Sequence, residues 1–235
     1  GQYVYLKEAY NKLIAFLFGW SFFAVIQTGT IAAVGVGFSK FAAYLIPSLS
    51  DENILLDLGA FQLNAAQIVS IITIVFLTYL NSRGVKDSKT LQTVLTIIKI
   101  LSLFGLIVFG FILAAKAEVW DVNWTDVWET KSYNLDTKQW TPIAGTALLA
   151  GISAAMVGSL FSSDAWNGVT FIAAELKNPK RNVGLSLFLG TFIVTIIYVL
   201  TNLMYLAVIP LEEIATAKSD RVAVVASQYT FGEYG

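Results

Sequence analysis

Two ionisable side chains stand far inside apolar stretches of this 235-residue chain, Lys99 and Asp164. Lys99 lies about eight residues into the apolar run that starts at Leu91, about 12 Å along a helix rising ~1.5 Å per residue. An ammonium at that depth costs about 2.5–3.5 kcal/mol to insert into a membrane. Two readings follow. The lysine stem snorkels to an interface, or the ammonium faces the inside of a helix bundle. There it occupies an ion site as a tethered charge, or carries a proton if burial lowers its pKa.

Asp164 sits in Ser162-Ser163-Asp164-Ala165-Trp166-Asn167-Gly168, a polar island within an apolar segment. A continuous helix from Pro142 to Glu175 would be about 50 Å long at ~1.5 Å per residue, against a bilayer core of about 30 Å. Length and polarity together predict a broken helix. One reading has Asp164 capping the second half by accepting from free backbone N–H groups. The break also exposes the positive end of one half-helix and the free carbonyls of the other, groups that bind small charged solutes. Phe161, just before the break, reads as a gate or as core, and Trp166 has the same two readings. Tyr198 and Asn202, in the last apolar run, read as interhelical hydrogen-bonding or packing residues.

The elements that must position these groups follow from composition. The chain is 56% hydrophobic and 13% charged, with a mean hydropathy of +0.68. Soluble domains carry about 25% charged residues, so this is a membrane protein. A net charge of −1 gives no basic field for nucleic acid, and the absence of Cys and His removes disulfides, thiol chemistry and the usual zinc ligands. No phosphate loop, catalytic triad or paired-carboxylate motif is present, so neither an enzyme nor a cofactor or metal is expected. The chain reads as a fragment, a single transmembrane domain over 1–235 cut from a larger protein.

Five spans are expected, at about 12–46, 65–82, 91–115, 143–175 (discontinuous) and 183–209. In the first, Gly29, Ala33 and Gly37 recur on one helical face and predict close packing against another helix. Pro47, Pro142, Pro179 and Pro210 fall at segment boundaries, with Pro142 suited to the first turn of a helix. Lys116 to Thr141 reads as a Trp-rich polar loop with room for a short interfacial helix. Lys7, Lys12, Arg83, Lys86, Lys89, Lys177, Lys180 and Arg181 gather in short loops on one side, which the positive-inside bias makes cytoplasmic. Glu175 and Arg181 could pair at that surface. The opposite loops are longer and acidic.

Taken as a set, the motifs resemble amino-acid permeases of the amino acid, polyamine and organocation superfamily, in particular the L-type amino acid transporter branch. The residues that carry the resemblance are Gly1-Gln2-Tyr3-Val4-Tyr5-Leu6, Asn81-Ser82-Arg83-Gly84-Val85-Lys86, Ile97-Ile98-Lys99, Phe161 to Asn167, Glu175 to Asn182, and Ser219-Asp220-Arg221-Val222-Ala223. The resemblance implies an all-α integral membrane protein with a partial LeuT-like inverted-repeat fold, of which helices 3 to 7 are present. It implies amino-acid transport by alternating access, with helix 1 outside this sequence supplying the carboxylate site. The carbonyls of Phe161, Ser162 and Asp164 would then face the substrate ammonium, Asn167 would line the pocket, and Phe161, with Trp166, would gate it. Lys99 matches the lysine that replaces sodium in sodium-independent members, which implies exchange or proton-coupled uptake. Many members carry glycine where this chain has Asp164. Animal members that pair with a glycoprotein heavy chain use a cysteine in the loop after helix 3. Pro47 to Leu63 has none, which implies no disulfide-linked heavy chain. A bacterial cytoplasmic (inner) membrane is the expected location.

Overall fold

A computed structural model describes residues 1–59, 62–82, 85–218 and 221–235, with the side chains of 85–88 and 175 also left aside. Arg83, Gly84, Ser219 and Asp220, and the side chains of Lys86 and Glu175, therefore lie outside the described residues. The chain forms two compact units, Gly1–Ile97 and Ile98–Gly235. Helix α5 (Val85–Phe109) runs across their boundary.

In the first unit, α1 (Gln2–Ala9) leads to α2 (Lys12–Ser21), which starts where Asn11 Oδ1 accepts from the Ile14 N–H at 2.9 Å. A π-turn over Phe22–Gln27 joins α2 to α3 (Thr28–Leu45) without a break in the helix. Thr28 Oγ1 donates to the Phe23 carbonyl at 2.8 Å, across that wider turn. Pro47 opens a short 3-10 turn, and β1 (Ile54–Asp57) and β2 (Gln62–Asn64) pair as an antiparallel hairpin. Helix α4 (Ala65–Ser82) then begins with a reciprocal cap. The Gln67 N–H donates to Asn64 Oδ1 at 2.9 Å, and the Asn64 N–H donates to Gln67 Oε1 at 3.0 Å.

Gly35 and Ser39 form the face of α3 that packs on α4, and the Gly29, Ala33 and Gly37 face takes no part in this contact. A Cβ on Gly35 would come within 3.1 Å of Ile74 Cδ1 and 3.3 Å of Ser70 Cβ, whereas one on Gly29 or Gly37 would meet nothing within 4 Å. Ser39 is fully buried, 3.4 Å from the Ser70 hydroxyl, which donates to the Ala66 carbonyl at 2.9 Å. Small residues permit close approach, and the buried hydroxyls, with no water to turn to, select which small face is used.

In the second unit, α5 passes through a π-turn at Gly110–Ala114 into α6 (Ala117–Trp124). An antiparallel hairpin of β3 (Lys131–Asn134) and β4 (Gln139–Pro142) follows. Thus the loop read as polar holds a helix and a hairpin, and Pro142 ends a strand instead of starting a helix. Its carbonyl-only backbone suits the strand end opposite Lys131. Helix α7 (Thr146–Ser162) starts instead from Gly145, whose φ of 62° is a conformation that glycine tolerates. Beyond the interruption described below come α8 (Pro179–Val208), α9 (Leu211–Ala215) and α10 (Val222–Phe231).

The core of this unit gathers Ala114, Met204, Val208, Ile209 and Ala226, with Leu106, Tyr205 and Ile214 packed around it. Gly110 lets the π-turn after α5 approach α8, because a Cβ there would lie 2.7 Å from Met204 Cγ and Sδ. Asn123 on α6, 7% exposed, closes the end of α8. Its Nδ2 donates to the carbonyls of Leu206 and Ile209, both at 2.8 Å, and its Oδ1 accepts from the Leu211 N–H at 3.0 Å. One side chain therefore satisfies three of the backbone groups that Pro210 strands at the α8–α9 junction.

Among the described residues four helical segments are long and apolar enough to cross a membrane: Lys12–Leu45, Ala65–Ser82, Lys89–Ala114 and Pro179–Val208. Their most apolar windows are at most 17% buried within the structure. Apolar surface on that scale is stable against lipid or other apolar helices, not against water.

Candidate functional site

Helix α7 ends because the sequence from Ser162 to Gly168 supplies polar side chains that compete with helical hydrogen bonding. Ser162 Oγ donates to the Ser159 carbonyl at 3.1 Å, which also accepts from the Ser163 N–H at 3.1 Å. The Asp164 N–H then bonds back to the Phe161 carbonyl at 3.3 Å. Ala165 turns the chain with φ of 61°, a left-handed conformation rare for a residue with a Cβ. The Gly168 N–H donates to the Ala165 carbonyl at 2.9 Å, and a 3-10 helix, Gly168–Glu175, carries the chain onward. Thr170 reinforces its start, with both N–H (2.9 Å) and hydroxyl (2.8 Å) donating to the Asn167 carbonyl.

Asn167, not Asp164, is the N-cap of this second segment, and no side chain caps it. The capping expectation for Asp164 is therefore corrected: the tight Asp164–Gly168 turn leaves the following amides to backbone partners. Among the described residues the Asp164 side chain has no hydrogen-bond or ion-pair partner, and its carbonyl accepts no hydrogen bond.

The three carbonyls at the break differ. Phe161 O is engaged by the Asp164 amide. Ser162 O accepts from the Tyr198 hydroxyl of α8 at 2.9 Å. Asp164 O is open. Tyr198 thus ties the end of α7 to α8, while Asn202 bonds within its own helix, Nδ2 to the Tyr198 carbonyl at 2.8 Å, and not between helices. Its side chain is short enough to reach the preceding turn, where a carbonyl lies one helical turn back. Phe161 (49% exposed) and Trp166 (62% exposed) flank the break with open faces, and Asn167 is half-buried. Lys99 is exposed on α5, and no hydrogen bond or ion pair joins it to Asp164.

The arrangement offers one open carbonyl and one unpaired carboxylate at an interrupted helix. Carbonyls and carboxylates accept from an ammonium, and aromatic faces attract one. Tyr198 makes the interhelical hydrogen bond that its sequence reading allows; its partner, Ser162, lies 36 residues away and carries no local signal.

Outside this region, the loops of the second unit carry their own polar cluster. Lys131 Nζ lies 3.0 Å from Glu129 Oε2 and 3.6 Å from Asp126 Oδ2. The hydrogen bond to Glu129 is the main cause that raises the Lys131 pKa above its ordinary value. Tyr133 Oη donates to Glu212 Oε1 at 2.7 Å, which raises the tyrosine pKa likewise. The Tyr133–Glu212 bond joins the hairpin to α9.

Comparison with known proteins gives this geometry a setting. The chain is 28% identical over 257 aligned residues to the b(0,+)-type amino acid transporter 1 of Homo sapiens, covering 99% of the chain and 41% of that protein. It is 25% identical over 234 residues to the Asc-type amino acid transporter 1 of Mus musculus, covering 99% of the chain and 38% of the relative. The serine/threonine exchanger SteT of Bacillus subtilis matches at 25% identity over 235 residues, covering all of the chain and 46% of the exchanger. The chain thus spans less than half the length of the curated relatives it matches. A model of the amino acid permease family matches residues 1–233. A match over nearly the whole chain, on long apolar helices and one broken helix, makes this chain a multi-pass integral membrane protein of the amino acid permease family.

Proposed function

We propose that this chain forms part of a transporter that moves amino acids across a membrane by alternating access, and that the interruption of α7 is half of its substrate site. The observation that carries the reading is the open Asp164 carbonyl beside the Asp164 carboxylate, at a break that Tyr198 holds to α8. On this reading the ammonium of the substrate sits against the carbonyls of Phe161, Ser162 and Asp164, Asn167 lines the pocket, and Phe161 and Trp166 close over it. Occupation of Ser162 O by Tyr198 leaves that oxygen its second lone pair.

Sodium-independent exchange is the leading coupling mode, supported by Lys99, a fixed cation where a bound cation would otherwise be needed, and by similarity to the serine/threonine exchanger of Bacillus subtilis. Proton-coupled symport is the second mode, with Lys99 as the proton carrier. The basic short loops put Lys7, Lys89 and Lys177 on the cytoplasmic side, and a bacterial cytoplasmic membrane fits that orientation. A reading from another class, a channel or receptor core lined by the same polar break, predicts conductance without saturable exchange.

The full-length protein in liposomes separates these. Saturable uptake driven by amino acid on the far side, without sodium, supports exchange. Uptake that follows a pH gradient alone supports symport. Sodium dependence contradicts the role given to Lys99.

A further inference from the structure

A cavity of about 850 Å³ opens between α6, the β3–β4 hairpin and the α8–α9 junction, apart from the interrupted helix. Its size falls in the range of small-molecule sites, about 300–1,000 Å³. Asn123 forms part of its wall, held rigidly by its three hydrogen bonds to the end of α8 and the start of α9. Trp124 and Trp140 supply two aromatic surfaces, each partly exposed. Trp140 is fixed against the Tyr133 ring at 5.0 Å and Trp124 against Trp120 at 5.2 Å, so neither indole must be ordered by a ligand.

The charges lining the cavity are Asp126, Glu129, Lys131 and Glu212, three carboxylates against one ammonium. Lys131 is committed to Glu129 and Asp126. Among the described residues Glu212 has no cationic partner: Tyr133 donates to one of its oxygens and leaves its charge uncompensated. A net negative, concave lining concentrates cations, and indole faces select organic cations over hydrated metal ions.

We propose that this cavity binds small organic cations bearing a primary ammonium or guanidinium, with the cation between the Glu212 carboxylate and the Trp124 and Trp140 faces. The chemistry is shared by free amines in solution and by the ethanolamine headgroup of the bilayer. Binding here is independent of whether the protein transports.

The test uses the full-length protein in nanodiscs of phosphatidylcholine and phosphatidylglycerol, titrated with cadaverine and followed by tryptophan fluorescence. A saturable response is expected, with affinity reduced tenfold or more by Glu212→Gln, a change that keeps an oxygen for the Tyr133 hydroxyl. Trp140→Phe is the second variant, expected to lose part of the affinity with the fold retained by its thermal midpoint. Replacing phosphatidylcholine with phosphatidylethanolamine identifies the source: a competitive shift assigns the headgroup, and an unchanged curve assigns the free amine. The absence of a saturable response in both lipids overturns the proposal. So does a response that folded Glu212→Gln and Trp140→Phe proteins both retain in full, or an equal response to N-acetylaspartate.

Discussion

The hydroxyl of Tyr198 on α8 donates a 2.9 Å hydrogen bond to the carbonyl of Ser162, the last residue of α7. A helix that stops at Ser162 leaves terminal carbonyls without amide partners, and each must find a donor or remain available. Tyr198 takes one of them and fixes where the helix ends.

Tyr198→Phe removes only the donor. A typical hydrogen bond contributes about 0.5–1.5 kcal/mol net, so the variant should lose about 1 kcal/mol of stability. It should also raise amide exchange at Ser163 and Asp164, measured by hydrogen–deuterium exchange. Unchanged exchange across 159–168 would show that the bond does not hold the break.

Ala165 adopts φ of 61°. For an L-residue with a Cβ the left-handed region costs about 1–2 kcal/mol. Ala165→Gly should therefore stabilise the protein, by about 1 kcal/mol once the added unfolded-state entropy of glycine is set against it. Thermal unfolding in detergent checks the sign, and a lower midpoint than the parent contradicts it.

How much of this could be read from residues alone depended on whether the signal was local. The polar run Ser162 to Gly168 marks the interruption because its side chains and its length against the bilayer are sequence properties. Pro179 likewise opens α8. Tyr198 was legible as an interhelical hydrogen-bonding or packing residue, but its partner was not, because it lies 36 residues away. The β3–β4 hairpin was missed since its strands are four residues each and mixed in polarity. The local signal that does exist is Asn134, whose Oδ1 accepts from the Asp136 and Thr137 amides at the turn. The choice of Gly35 over Gly29 and Gly37 depends on where Ser39 and Ser70 meet, which no helical periodicity specifies. The family resemblance carried the fold class; the π-turns at Phe22–Gln27 and Gly110–Ala114 had no sequence signature at all.

Asn123 offers a sharper stability test. Asn123→Ala removes two donors and one acceptor from buried backbone partners at the α8–α9 junction. Each buried group left unsatisfied costs about 1–3 kcal/mol, and the site is close enough to loop solvent for partial rescue, so a loss of about 2–4 kcal/mol is expected. Asn123→Asp keeps the acceptor for Leu211 and loses both donors, and should be no better. A loss below that of Tyr198→Phe would contradict the clamp.

The hairpin contact with α9 should depend on alkaline pH. Tyr133 is raised above its ordinary pKa chiefly by its hydrogen bond to Glu212, and Lys131 above its own by Glu129. A raised folded pKa means that the stabilisation is complete below the ordinary value and is lost as pH rises through the folded one. The contact should hold at neutral pH and fail above about pH 10, the ordinary tyrosine value. Fluorescence of Trp140, which packs on Tyr133, reports the release. In Tyr133→Phe the tyrosine part of the transition should vanish; an unaltered transition would refute the assignment.

The interrupted helix as an amino-acid site is tested most directly by exchange in liposomes containing the full-length protein, comparing the parent with Phe161→Ala and Lys99→Ala. The account predicts saturable amino-acid exchange without sodium in the parent, and at least tenfold weaker exchange in both variants at equal folded protein. Exchange that both variants retain in full, or no uptake or exchange of any amino acid by the folded parent, would contradict it.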